Sequence, residues 1–166
     1  NQVRVLYRSL YVTAKAKSTH GYTCMQIFVS DKGFVKVYPM CSPSEYPMAL
    51  KLFAKEVGAP EILVADPHPS HKSKSVKAFC NQIGTTLKIL EESTQWANRA
   101  ELYIGLLKEA TRTDMRVRHS PLVLWDYCAE RRAIIFCLTA RNLFQLQCTN
   151  PYTATFGEEG DFSYLC

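Results

Sequence analysis

No stretch of the chain approaches the roughly 18 consecutive apolar residues of a membrane-spanning helix. The opening NQVRVLYRSL also lacks the unbroken apolar segment of a secretory signal. Both absences point to a soluble, intracellular protein without a membrane partner. There is no CxxC pair among the seven cysteines, which are scattered at positions 24, 41, 80, 128, 137, 148 and 166. An odd, dispersed set argues against a disulfide framework and against a structural zinc site, leaving buried or free thiols in a reducing compartment. Internal repeats and low-complexity segments are missing too, as is an HxxxH followed by CxxC. The chain begins without Met, and the expectation is a piece of something longer.

What is present is the composition of one globular domain: 166 residues, 47% apolar and 21% charged, enough for a substantial core. Twenty Lys and Arg against fifteen Asp and Glu leave a net charge of +5, and the pI is near 8.8. This balance favours an anionic partner without specifying nucleic acid.

Residues 3–13 and 22–30 are rich in β-branched and aromatic side chains, and DKG at 31–33 is a turn signal before FVKVYPM, so three strands in a meander are expected. In MALKLFAKEVG, Ala49, Leu52, Phe53 and Val57 fall on one helical face, and Gly58 with Pro60 is a stop. A short strand at Ile62–Ala65 follows, then a helix over about 74–83 ended by Gly84, then a strand at 85–90. The pattern from Trp96 to about Arg118 is helical, with Ala100, Tyr103, Leu107 and Ala110 inward. Pro121 opens a last long helix that would carry Leu124, Trp125, Cys128 and Ile135 inward to about Leu138, ahead of a turn-rich tail. A meander feeding β-α-β crossovers predicts an α/β fold: a mixed five-stranded sheet with helices on both faces.

The stretch EILVADPHPSHKS carries the chemistry. Its continuous apolar run reads as a strand buried on both faces, which delivers Asp66 to the sheet rim, where reactive groups gather in such folds. Glu101 lies 34 intervening positions further on, residues 67 to 100, near the start of a long helix. One helix, one strand and a helix entry fit that interval, so the fold can bring the two carboxylates together. Hard oxygen ligands suit Mg²⁺ or Mn²⁺, and phosphoryl transfer on nucleic acid is the reaction class that would use them. The plain alternatives are a turn or cap role for Asp66 and a macrodipole role for Glu101. His68 and His71, three apart in a loop with no third nitrogen or thiol ligand nearby, read as solvated.

Four segments share a resemblance. WANRAELYIGLLKEATR resembles the stretch that opens the glutamate-bearing helix of copia-type (Pseudoviridae-like) retrotransposon integrase catalytic cores, with Asn98, Arg99 and Glu101 in register. MQIFVSDKGFVKVYPM looks like their second and third strands, ALKLFAKEVGAPEILVADP like the helix and strand leading to the second Asp, and NPYTATFGEEGDFSYL like their tail. The resemblance implies an RNase H-like fold over residues 1–145 with a C-terminal extension at 146–166. It implies a fragment of a transposable-element polyprotein, with an Asp, Asp, Glu triad that holds Mg²⁺ or Mn²⁺ for 3′-end processing and strand transfer of DNA. It also implies homodimers, and action in the nucleus or in a cytoplasmic particle.

Position by position, Asp66 matches the second catalytic and metal-binding carboxylate and Glu101 the third. At the first stands Arg8, in LYRSLY. A guanidinium cannot ligate a cation and would repel Mg²⁺ or pair with Asp66, so the expectation is an impaired, degenerate site. The alternative is a catalytically dead nucleic-acid-binding or dimerisation module of the same descent. Asp31, in its tight turn, is read as a turn residue and not a stand-in for the missing carboxylate. The resemblance also makes PHPSHKS a mobile active-site loop that touches DNA. Lys72, Lys74, Asn98, Lys108 and Arg112 are the candidate nucleic-acid contacts, with Lys108 seven residues after Glu101 on nearly the same helical face.

Overall fold

The computed structural model describes residues 6–90, 97–139 and 149–163, and for residues 6, 8–13 and 97–100 the backbone only. Five strands, β1 (Leu6–Thr13), β2 (Cys24–Ser30), β3 (Val35–Met40), β4 (Ile62–Ala65) and β5 (Thr86–Ile89), make one sheet in the order β3-β2-β1-β4-β5. β1 pairs antiparallel with β2 and parallel with β4; β2–β3 is antiparallel and β4–β5 parallel. Helices α1 (Tyr46–Glu56), α2 (Lys74–Gln82), α3 (Ala97–Val117), α4 (Trp125–Leu138) and α5 (Pro151–Phe156) complete the described elements.

The central strands explain the layering. Every residue of β2 is buried, which requires cover on both faces. Phe28 stacks on Phe53 of α1 at 4.3 Å between ring centroids, with Tyr46 beyond it, while Met25, on the opposite pleat, lines a cleft together with Met115 of α3 and Trp125 and Ala129 of α4. The hairpin between β2 and β3 turns through Asp31, Lys32 and Gly33, with the Ser30 amide donating to the Phe34 carbonyl at 2.9 Å. Asp31 is exposed and accepts from the Lys32 amide at 3.0 Å, a turn role. The α2 start is capped by Ser73, whose hydroxyl accepts from the Val76 amide.

Two inward stripes differ from the sequence reading. On α1 the buried residues are Tyr46, Ala49, Leu50 and Phe53, whereas Leu52 is 40% exposed. On α4 they are Asp126, Ala129, Ala133, Cys137 and Leu138, one position round from the expected Cys128 and Ile135, while Trp125 packs half-buried against the core as expected. Pro121 leads into a single 3-10 turn, Leu122–Leu124, and the α-helix starts only at Trp125. Apolar residues lie on every side of α4, so periodicity alone cannot select its face. On α3, Leu107 is buried and Tyr103 and Ala110 half-buried, with Ile104 an unanticipated core member; Ala100 lies outside the described side chains.

α5, capped by the Asn150 side chain, packs its Phe156 edge-on against Phe34, and Lys32 donates to the Ala154 carbonyl at 2.9 Å. The described tail residues therefore lie against the hairpin; the boundary expected at 145/146 falls outside the described residues. No disulfide joins Cys24, Cys41, Cys80, Cys128 or Cys137 to another described cysteine, and burial raises the thiols of Cys80 and Cys128. No helix among the described residues is long and apolar enough to cross a membrane.

Candidate functional site

Asp66 follows β4 at the end of the sheet. Leu63, Val64 and Ala65 are buried, so the strand is anchored by its apolar run and its next residue is held at the rim, half-buried. Burial pushes its carboxyl up to about 6, and the negative charge of Glu101 pushes in the same direction. Glu101, exposed on the second turn of α3, is thus close enough to act on Asp66 electrostatically. The spacing argument expects these two groups near each other across 34 intervening residues, and the charge of Glu101 reaches Asp66.

Arg8 sits in the middle of β1, in register with Val64, two residues before Asp66, and with Val29 on the other side. The position the resemblance assigns to a first carboxylate is therefore on the strand next to Asp66. A hard divalent cation takes about six oxygen ligands, several from water and two or more from carboxylates. Asp66 and Glu101 supply part of such a set, and their mutual repulsion is what a cation would relieve. Among the described residues no group of three or more His, Cys, Asp or Glu could hold a metal ion, and an arginine side chain has no oxygen to give at position 8. Among the described residues, Asp66 and Glu101 do not complete a metal centre.

The loop after β4 departs from the sequence reading. His71 is fully buried, not solvated. Its Nδ1–H donates to the Asp66 carbonyl at 3.0 Å, its Nε2 faces the Gln26 side-chain amide at 3.4 Å, and its ring packs edge-on against Tyr46 at 4.2 Å. Burial lowers its pKa to about 4, so the ring is neutral near pH 7. His68 holds the Ser70 hydroxyl at 2.7 Å, and the amides of His71 and Lys72 close turns onto the His68 and Pro69 carbonyls. PHPSHKS is accordingly a pinned connection, and His71 fixes the backbone of Asp66 itself. The missed signal was Gln26, a polar residue in an otherwise apolar strand, which needs a partner once buried.

The basic residues divide by place. Lys72 and Lys74 are exposed at the α2 entrance, on the segment that follows Asp66. Lys108 is half-buried and Arg112 exposed on α3, with Glu101, Lys108 and Arg112 at a seven- and then four-residue spacing along one face. Asn98 belongs to the first turn of α3, but its side chain lies outside those described. A second polar cluster was not read from sequence: His20 Nδ1 meets Asp126 Oδ2 at 2.9 Å and its Nε2 meets the Tyr127 hydroxyl at 2.9 Å, fastening the β1–β2 connection to α4. Nothing local in the sequence joins residues 106 positions apart.

No family model matches the chain, and no curated protein matches it. Solved structures do. The catalytic core domain of HTLV-2 integrase, in complex with magnesium and in a trimeric form, aligns with TM-score 0.72 and 16% identity over 90% of this chain and 95% of that one. The catalytic core domain of BIV integrase gives 0.69 and 12% over 92% and 93%. A chain of the simian T-cell lymphotropic virus intasome, in complex with a PP2A regulatory subunit, gives 0.75 and 13% over 91% of this chain. The chain spans about half, 54%, of that intasome chain. At these identities the likeness is one of fold: the protein has the RNase H-like architecture of retroviral integrase catalytic cores, with Asp66 at one end of its sheet.

Proposed function

We propose that the chain is a copia-type retrotransposon integrase core that holds DNA along α3 and beside the β4–α2 connection, with its own 3′-end processing and strand transfer impaired. The observation that carries this is the half-buried Asp66 carboxyl at the sheet end, raised by burial and by the negative charge of Glu101, beside a β1 strand that bears Arg8. Two carboxylates placed together at a cost in repulsion are what a cation-dependent phosphoryl-transfer site leaves behind when its third ligand is lost. Lys72, Lys74, Asn98, Lys108 and Arg112 are the proposed DNA contacts, and the cations act on phosphates without reading sequence. Mg²⁺ or Mn²⁺ would bind weakly through Asp66 and Glu101. The protein would work in the nucleus.

Self-association belongs to the same reading. A cleft of about 690 Å³ between β3, α1 and α4 exposes Leu52 and Ile134 at its edge. The HTLV-2 core has been crystallised in a dimeric form as well as a trimeric one. A second copy of this chain is the proposed occupant of that face.

DNA binding tests the reading directly. Affinity for duplex DNA should fall steeply between about 50 and 200 mM salt. Lys108→Gln and Arg112→Gln should each lower it and reduce the slope of log K against log salt by about 1. Binding that ignores salt, or variants as tight as the parent, would remove DNA from the account.

A further inference from the structure

A separate cleft of about 200 Å³ lies where the C-terminal half of α3, the N-terminal half of α4 and the start of the β1–β2 connection meet. Its walls are apolar: Met25, Met115, Leu122, Trp125 and Ala129. The Trp125 indole N–H is already donated to the Ala16 carbonyl at 2.9 Å, so the ring offers the cleft carbon and not a donor. Around it stand three cations, Lys15, Lys108 and Arg112, none with an ion pair among the described residues. Thr111 also lines it, 8% exposed, and its buried hydroxyl has no hydrogen-bond partner.

These features point to one class of ligand. An apolar cavity of about 150 Å³ accepts a benzene molecule. The cleft is therefore large enough for a single aromatic ring with a short arm. Cations beside low-dielectric walls concentrate their field on whatever enters, which selects a negative arm. A buried hydroxyl without an acceptor is a donor waiting for one. We propose that this cleft binds a small aromatic anion, its ring against Met25, Met115 and Trp125 and its carboxylate or phosphate among Lys15, Lys108 and Arg112. Because Lys108 and Arg112 are also proposed DNA contacts, such a ligand would compete with DNA for them. The ligand site itself does not depend on the DNA reading.

The test is an NMR titration of the full chain at low salt with four probes: phenylacetate, phenyl phosphate, benzyl alcohol and thymidine monophosphate. Saturable shifts are expected at the Trp125 indole N–H and at the Thr111 and Met115 amides. The two simple anions should bind about tenfold more tightly than the neutral alcohol. In Lys15→Gln with Arg112→Gln, both exposed positions, the anions should weaken several-fold and the alcohol should not change. Thymidine monophosphate binding above phenyl phosphate would mark nucleotides as the source of the ligand, and binding below it would mark non-nucleotide aromatic acids. Shifts that do not saturate, that fall outside the cleft, or that are equal for alcohol and anions would overturn the proposal. So would variants that bind the anions as well as the parent does.

Discussion

Asp66 and His71 are five residues apart and titrate against each other in stability. The folded Asp66 carboxyl is raised from 3.8 to about 6, so between about pH 4 and 6 the folded state binds more protons than the unfolded one. Its contribution is therefore present at acid pH and lost as pH rises through 6, by about 1 kcal/mol once solvent screening is allowed for. The folded His71 ring is lowered from 6.5 to about 4, so over that interval the unfolded state binds more protons. Its contribution has the opposite sign: stability is lost as pH falls from 6.5 to 4, by about 2–3 kcal/mol. The parent should thus show a shallow net rise in stability from pH 4.5 to 7. In Asp66→Asn the opposing term is gone. Urea unfolding should give a variant about 1 kcal/mol more stable than the parent at pH 7.5 and no more stable at pH 4. Parallel pH curves for the two proteins would show that Asp66 is not raised in the fold, by burial or by the Glu101 charge.

At the scale of elements, the β2–β3 hairpin makes the most exacting demand. Gly33 has φ of +79°, and a Cβ there would sit 2.8 Å from the Tyr103 hydroxyl oxygen of α3. Gly33→Ala should therefore cost about 2 kcal/mol in chemical denaturation, from backbone strain together with the clash. The same change in a Tyr103→Phe background should cost less, because the nearest atom has been removed; an equal cost would assign the whole effect to the backbone. The turn was legible in DKG, but the approach of α3 to it was not, since local sequence carries no record of which helix crosses which turn. The same limit explains the α4 stripe. Strand periodicity and the Gly and Pro stops mark the elements well, yet a helix with apolar residues all round takes its face from the sheet beneath it. The Cys137 thiol, which donates to the Val35 carbonyl at 3.1 Å, shows which face β3 selected.

For the whole molecule, the order of elements and the place of Asp66 at the sheet end were legible because both follow from strand patterning and the rules for β-α-β crossovers. The buried His71–Gln26 contact and the His20–Asp126 fastening were not, because each joins residues distant in sequence by a chemistry that becomes necessary only after burial. The central claim concerns Arg8, the one residue of the expected triad whose chemistry is wrong for its place. Strand transfer and nicking of labelled DNA with Mn²⁺ should be compared in the parent chain, in Arg8→Asp and in Arg8→Asp with Glu101→Gln. The expected result is an inert parent, an active Arg8→Asp, and loss of that activity by at least about a hundredfold when Glu101 is neutralised. Strong strand transfer by the unaltered chain, or three equally inert folded proteins, would contradict the account.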